Sequence, residues 1–174
     1  MPRSELQIVH PVAAEEIGGW LQTMSSTFRE EPPEGERREH WVTSIGRGWV
    51  PDRGWGVRDR GRWVATLRTL DRSITVPGVD GMTEVLAADA LTGVTVAATH
   101  RRRGLLSGML SASLRAARER GDALAILISA EWPIYGRFGY APATLSARYK
   151  LELIRRGSRV DGLGRRRAGQ AGRP

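Results

Sequence analysis

Four segments follow one another between Val94 and Ser129, and their order restricts the folds open to this chain. Val94-Thr-Val-Ala-Ala-Thr is β-branched at its start and reads as the end of a strand. His100-Arg-Arg-Arg-Gly104 is a basic turn. Leu105, Leu106, Met109, Leu110, Leu114 and Ala117 then line one face of a helix that ends near Gly121. Ala123-Leu-Ala-Ile-Leu-Ile-Ser129 is a continuous apolar run and reads as a fully buried strand. A strand, a glycine turn that opens a helix, and a second apolar strand place the chain in the α/β (α+β) class.

The remaining elements read less sharply. Residues 5–9 alternate enough for a short first strand. Ile17, Trp20, Leu21, Met24 and Phe28 recur at helical spacing and predict a helix over residues 13–28, weakened by Gly18-Gly19. Residues 30–40 begin Glu-Glu-Pro-Pro-Glu-Gly-Glu and read as a surface loop or a capped short helix. Arg58-Asp-Arg-Gly61 between two tryptophan-bearing runs is a hairpin signal. A further short strand is expected at residues 73–76 and a long one at 84–96, with Gly93 as a bulge or splay point. Pro133 sits where a short helix through Phe138 can start. Residues 145–153 alternate as a final strand. From Arg155 onward there is no periodicity, and much Gly and Arg, which reads as a disordered tail over 155–174 after a domain over 1–154.

Composition removes several chemistries. The 174 residues contain no cysteine, which excludes disulfides, thiolate metal sites and a cysteine nucleophile. His10, His40 and His100 lack ligand spacing, which argues against zinc. No apolar run reaches the roughly 20 residues that span a bilayer, and residues 1–7 lack the apolar core of a signal peptide. A cytoplasmic location is expected by default. The net charge of +8 belongs mostly to the tail, where seven arginines stand against Asp161 alone.

The turn at Arg101, Arg102, Arg103 and Gly104, with Leu105, Leu106 and Ser107 opening the helix, has two readings. Free N–H groups at a helix start and the helix dipole favour an anion, and Gly104 permits close approach. The alternative is a solvated arginine cluster before an ordinary helix. The strand before and the apolar-faced helix after favour the anion site. Tyr135, in Tyr-Gly-Arg-Phe-Gly139-Tyr140, is either a half-buried tyrosine with a satisfied hydroxyl or a positioned phenol. An anionic ligand site followed by a positioned phenol suggests acyl transfer from a pyrophosphate-bearing donor. His100 is expected to support the turn or touch phosphate. Glu84 and Glu131 are nearby carboxylates in sequence, as well read as surface charges as site residues. Of the six tryptophans, Trp41 and Trp49 lie in less regular sequence and are candidates for pocket walls.

These residues carry a family resemblance. Val94-x-Val96-x-x-x-x-Arg101-Arg-Arg-Gly104-Leu-Leu resembles motif A of the GNAT superfamily of N-acetyltransferases, with Leu106 at its final Gly/Ala position. Tyr135-x-x-x-Gly139-Tyr140 resembles a later motif of the same superfamily. Thr-His-Arg-Arg-Arg-Gly-Leu-Leu together with Ile-Tyr-Gly-Arg-Phe-Gly-Tyr is similar to the enhanced intracellular survival (Eis) acetyltransferases, over roughly residues 5–153.

The resemblance implies a GNAT fold: a mixed, mostly antiparallel central sheet flanked by helices, with a splayed strand pair at an acetyl-CoA site. It implies acetyl-CoA as donor and no metal. Val94, Thr95 and Val96 match the strand that holds the pantetheine arm and thioester. Arg101 through Ser107 match the pyrophosphate loop, Ala130 and Glu131 a further donor contact, and Tyr135 the proton donor to the leaving thiolate. The implied acceptor is a primary amine, on an aminoglycoside or a lysine side chain, and assembly into a homo-oligomer is implied as well.

Three positions depart from the pattern. Ala98 stands where the motif usually has proline. Trp132-Pro133 replaces small residues before Ile134. The resembled enzymes also carry two further domains and use the C-terminal carboxylate as base, which has no counterpart here. A truncation or frame shift near Ile154 is the expected explanation. An acetyl-CoA-binding but inactive module is therefore the rival to an enzyme. A nucleic-acid binder working through the tail is disfavoured, since no base-reading motif accompanies it.

Overall fold

The computed structural model describes residues 6–145 apart from Pro32, Asp80 and Ala130. The chain divides after Ala141, and everything below concerns the first unit. The expected strand at 145–153, the boundary at 154 and the tail lie outside the described residues, as does Glu5 of the expected first strand.

Among the described residues, five strands form one sheet in sequence order. They are β1 (Ile8–Val9), β2 (Gly54–Asp59), β3 (Arg62–Pro77), β4 (Thr83–Val96) and β5 (Leu124–Leu127). Neighbours are antiparallel except β4 and β5, which are parallel. Three helices accompany them: α1 (Ile17–Phe28), α2 (Gly35–Gly46) and α3 (Leu105–Arg120). The single parallel pair follows from α3, because only a crossover of this length returns the chain to pair β5 in the direction of β4.

Two apolar clusters flank the sheet. In one, Leu105, Met109 and Leu110 of α3 pack on Trp55, Val57, Ala65, Leu67 and Leu91. In the other, Ile17, Trp20 and Leu21 of α1 pack with Val12, Trp49 and Trp63. Trp20 Nε1 donates to the Trp55 carbonyl and Trp49 Nε1 to the Val12 carbonyl, both at 2.9 Å, so each buried indole is satisfied. Asp89, 1% exposed, anchors the far end of α3. Its Oδ1 accepts from Arg53 Nη1 and Arg120 Nη2, each at 2.7 Å. Burial raises its pKa, opposed by the Thr69 hydroxyl and the Arg120 and Arg53 guanidiniums.

Several expectations change. Residues 73–76 are no separate strand but the continuation of β3, which runs unbroken to Pro77. The polar Asp71-Arg72-Ser73 reads as a break, yet all three side chains are exposed, and from Ser73 β3 runs on with β4 as a two-stranded ribbon whose faces need not be apolar. The strand expected at 123–129 is shorter and only half-buried. Leu124 is 40% and Ile128 98% exposed, since β4 is its only strand partner among the described residues. Residues 30–40 hold the start of a full helix, α2, which continues to Gly46 because Trp41, Val42 and Ile45 pack on the α1 cluster. The helix expected from residue 13 begins as a single 3₁₀ turn, Ala14–Glu16, before α1. The short helix after Pro133 is two 3₁₀ turns, Trp132–Ile134 and Gly136–Phe138.

Candidate active site

The β4–β5 pairing ends at Leu91–Leu127, while β4 continues to Val96. Just past that point Gly93 takes a φ of +60°, and the β3–β4 register slips between Thr66 and Arg68. The bulge expected from sequence is present. Only glycine fits there: a Cβ on Gly93 would lie 2.9 Å from the Trp20 ring and 3.1 Å from Met24 Sδ. The bulge is pinned from β3. The Thr66 hydroxyl donates to the Gly93 carbonyl at 2.8 Å and sits 2.6 Å from the Thr95 hydroxyl. Both threonines are buried.

This geometry sorts the strand residues. The Thr95 side chain is locked into the Thr66 pair, 4% exposed, so it offers a ligand its backbone and not its hydroxyl. Val94 and Val96 pack against the α3 cluster. The Ala97 N–H donates to the Val64 carbonyl at 2.8 Å, toward β3. Backbone N–H groups alternate sides along a strand, so the Val96 N–H points away from β3, to the side where β5 has ended.

A 3₁₀ turn, Ala98–His100, leads into the loop. Arg102 and Gly104 both adopt left-handed backbone, with φ of +61° and +75°. For Arg102 this costs roughly 1 kcal/mol or more, a conformation that curls successive amides toward one side. No side chain caps α3. The first intrahelical bond at this end is Gly108 N–H to the Gly104 carbonyl, 2.9 Å. The amides of Leu105, Leu106 and Ser107 therefore have no acceptor among the described residues. No heavy atom stands within 4 Å of a Cβ built on Gly104, so the space over the loop is open.

The loop side chains divide in the same way. Arg101 Nε reaches the Val96 carbonyl at 3.5 Å, and Arg103 Nη2 donates to the Thr99 carbonyl at 3.0 Å, so both brace the turn. The Arg102 guanidinium bonds to no described group. Leu105 is buried in the α3 cluster and Leu106 packs against it, so each contributes an amide and a core side chain. His100 belongs to the turn: one ring nitrogen lies 2.9 Å from the Thr99 hydroxyl and the other 3.0 Å from Asp59 Oδ2. That link ties the loop to the β2–β3 hairpin.

The Tyr135 turn explains its own motif. The Tyr135 carbonyl accepts from the N–H groups of Phe138 at 2.9 Å and Tyr140 at 3.4 Å. Gly139, at a φ of +90°, allows the chain to fold back so that Tyr140 meets Tyr135 edge-on, with centroids 6.0 Å apart. Tyr135 packs against the same cluster as Val94, Val96 and Leu106. Burial, with the Glu131 carboxylate beside it, raises its pKa, so the phenol stays protonated to higher pH than an ordinary tyrosine. Tyr140 is pushed up to about 12 by burial, with Asp89 and Tyr135 adding to it.

The remaining candidates fall elsewhere. The Glu131 amide donates to Ser129 Oγ at 2.9 Å, and Ala130 lies outside the described residues. Glu84 pairs with Val76 at the opposite end of β4 from Val96, about 40 Å of strand away. It is not part of this site. Trp49 is a core residue stacked edge-on to Trp20, and Trp41 packs on the same cluster, so the pocket-wall reading fails for Trp49. Sequence reasoning missed Thr66, Asp59 and the Asp89 anchor. Each acts through partners at least 27 residues distant, which no local pattern encodes.

Among the described residues the fold is α/β: a mixed sheet whose parallel β4–β5 pair ends beside the uncapped N-terminus of α3. Residues 9–143 match the family model described as the Acetyltransferase (GNAT) domain, and the chain belongs to that family. Over 149 residues it is 42% identical to an uncharacterized N-acetyltransferase of Streptomyces avermitilis, covering 86% of this chain and 34% of that one. It is 47% identical to the N-acetyltransferase Eis of Mycobacterium tuberculosis over 75 residues, 43% of this chain and 18% of that one. The chain thus spans about a third, or less, of the length of these curated relatives. Its fold resembles a predicted acetyltransferase of Clostridium acetobutylicum solved with acetyl-CoA, at a TM-score of 0.61 and 15% identity, covering 86% of this chain and 96% of that one.

Proposed function

We propose that this chain binds acetyl-CoA and transfers its acetyl group to a primary amine by direct attack on the thioester. The observation that carries the reading is the continuity of three features: the β4 end freed of β5, the left-handed loop at Arg102 and Gly104, and the unpaired first-turn amides of α3. These residues fit an anion-headed donor. The amides of Leu105, Leu106 and Ser107, with the Arg102 guanidinium, would hold the pyrophosphate, and Val94 to Val96 the arm that leads from it. The bound donor supplies an activated acetyl thioester.

The protein's own work is then positioning and proton management. Holding amine and thioester in one geometry removes much of the entropic barrier. The Val96 N–H, directed away from β3, is placed to donate to the thioester carbonyl oxygen as charge develops on it. The Tyr135 phenol, protonated at neutral pH, is suited to give a proton to the departing thiolate, a role worth about 10²-fold or more in rate. The acidic run Glu30, Glu31, Glu34 and Glu36, leading into α2, supports a cationic acceptor, and the acceptor class proposed is the aminoglycoside or lysine-like amine that the sequence resemblance implies.

The test is titration calorimetry with acetyl-CoA, beside a thiol-release assay on an aminoglycoside panel and a lysine peptide. Wild-type chain should bind at micromolar concentration, and Gly104→Asp, which sets a carboxylate where the pyrophosphate belongs, should weaken binding at least 100-fold. Tyr135→Phe should keep donor affinity and lose about 10²-fold in kcat. Binding without any acceptor-dependent thiol release would make the chain a donor-binding module. No binding by folded wild-type chain would end the acetyl-transfer reading.

A further inference from the structure

Farther along β3 lies a cleft that the acetyl-transfer reading does not use. It is lined in part by Gly48, Val50, Arg53, Arg68, Thr69 and Arg72. β2 begins at Gly54, opposite Arg68, so from Thr69 onward β3 has no strand on that side and its edge forms one wall. Three guanidiniums meet here with a single well-exposed carboxylate, Asp71. Arg53 is already committed to Asp89 at 2.7 Å.

Arg68 and Arg72 are not committed in that way. Arg68 is half-buried, and neutral groups hold it: Nη2 donates to the Gly48 carbonyl at 2.8 Å, and the guanidinium lies 4.8 Å from the centroid of the Trp49 ring. Arg72 donates to the backbone carbonyl of Asp71 at 2.7 Å. Neither has a carboxylate partner within salt-bridge distance among the described residues. Burial, and then Arg72 itself, hold the Arg68 pKa below its usual value, the mark of like charges crowded without a counterion. Thr69, between them in sequence, turns its side chain, 1% exposed, to the opposite face of β3, toward Asp89. A desolvated cation without a counter-charge costs stability. Acceptor oxygens would relieve both guanidiniums at once.

We infer that Arg68 and Arg72 form a binding site for an oxyanion group, carboxylate or phosphate, distinct from the loop that opens α3. Guanidinium forks match both oxyanions in a bidentate manner, which an ammonium cannot do. The apolar side chains of Val50 and Leu70 in its lining suit a ligand whose oxyanion is carried on a short hydrocarbon or a compact ring.

The experiment is calorimetric titration at low ionic strength with inorganic phosphate alone and, separately, with succinate alone. It is run on the full chain carrying Gly104→Asp, so that the α3 loop does not contribute. At least one probe should bind, and Arg68→Gln with Arg72→Gln should weaken it at least fivefold, with Arg68→Lys plus Arg72→Lys in between. Binding of phosphate alone or succinate alone identifies the oxyanion and supports the site. The glutamine pair placed on the otherwise native chain should leave acetyl-CoA affinity intact, which shows that it folds. If the pair does not fold, Arg72→Gln alone, whose side chain is exposed, carries the test with at least a twofold loss. No binding of either probe, or equal binding by the glutamine variants, overturns the inference. Neither result bears on acetyl transfer, which is read from the α3 loop.

Discussion

The two ends of β4 share one strand and little else. From Ala88 to Leu91 it is paired on both sides, and at Gly93 it lies against Trp20 and Met24 of α1. Its first residues, 83–87, pair with no strand but β3 among the described residues, in a ribbon that leaves Val85 68% exposed. The bulge, the left-handed glycine and the buried threonine pair all sit at the first of these ends. Irregular backbone persists where surrounding packing over-determines it. The ribbon has regular register throughout, because its own cross-strand bonds are all that shape it.

That contrast can be broken in graded steps. Gly93→Ala should do the most harm. The left-handed φ costs a β-carbon about 1–2 kcal/mol, and the contact with Trp20 adds about 1–3 kcal/mol of overpacking. Urea unfolding should show the combined loss, and a change below about 1 kcal/mol would mean that α1 does not constrain the bulge. Thr66→Val comes next. It keeps the volume but strands the Gly93 carbonyl and the Thr95 hydroxyl, at about 1–3 kcal/mol. It should also raise KM for acetyl-CoA severalfold, while Thr66→Ser restores both. Unchanged KM with lowered stability would reduce Thr66 to a core residue with no part in aiming Val94–Val96. Val85→Thr on the ribbon should change stability by no more than about 0.5 kcal/mol. A larger loss would show that the exposed end is covered by something in solution.

What was legible in the sequence follows the same division. The segment from Val94 through the α3 helix could be read because its signals are local: β-branching, then glycine, then apolar residues at helical spacing. Gly93 was legible for a similar reason, since a glycine inside a strand pattern has few other uses. The length of α2 was hidden because only Trp41, Val42 and Ile45 face inward. The continuity of β3 through Asp71-Arg72-Ser73 was hidden because three consecutive exposed side chains have no alternation to show. The support of the site escaped entirely. Thr66 finds Thr95 across the sheet, and Asp59 finds His100 across 41 residues, pairings fixed by register that follow only once the fold is known.

Asp89 has a consequence at the opposite end of α3. Guanidiniums from 36 residues before it and 31 after it close on one buried oxygen, so the C-terminal turn of the helix is fastened to the middle of the sheet. Leu105 and Met109 fasten the other end through the core. A rod held at both ends cannot pivot. On the proposed reading, the amides that open it are aimed in advance, and an anion docking there would find little orientational freedom left to lose.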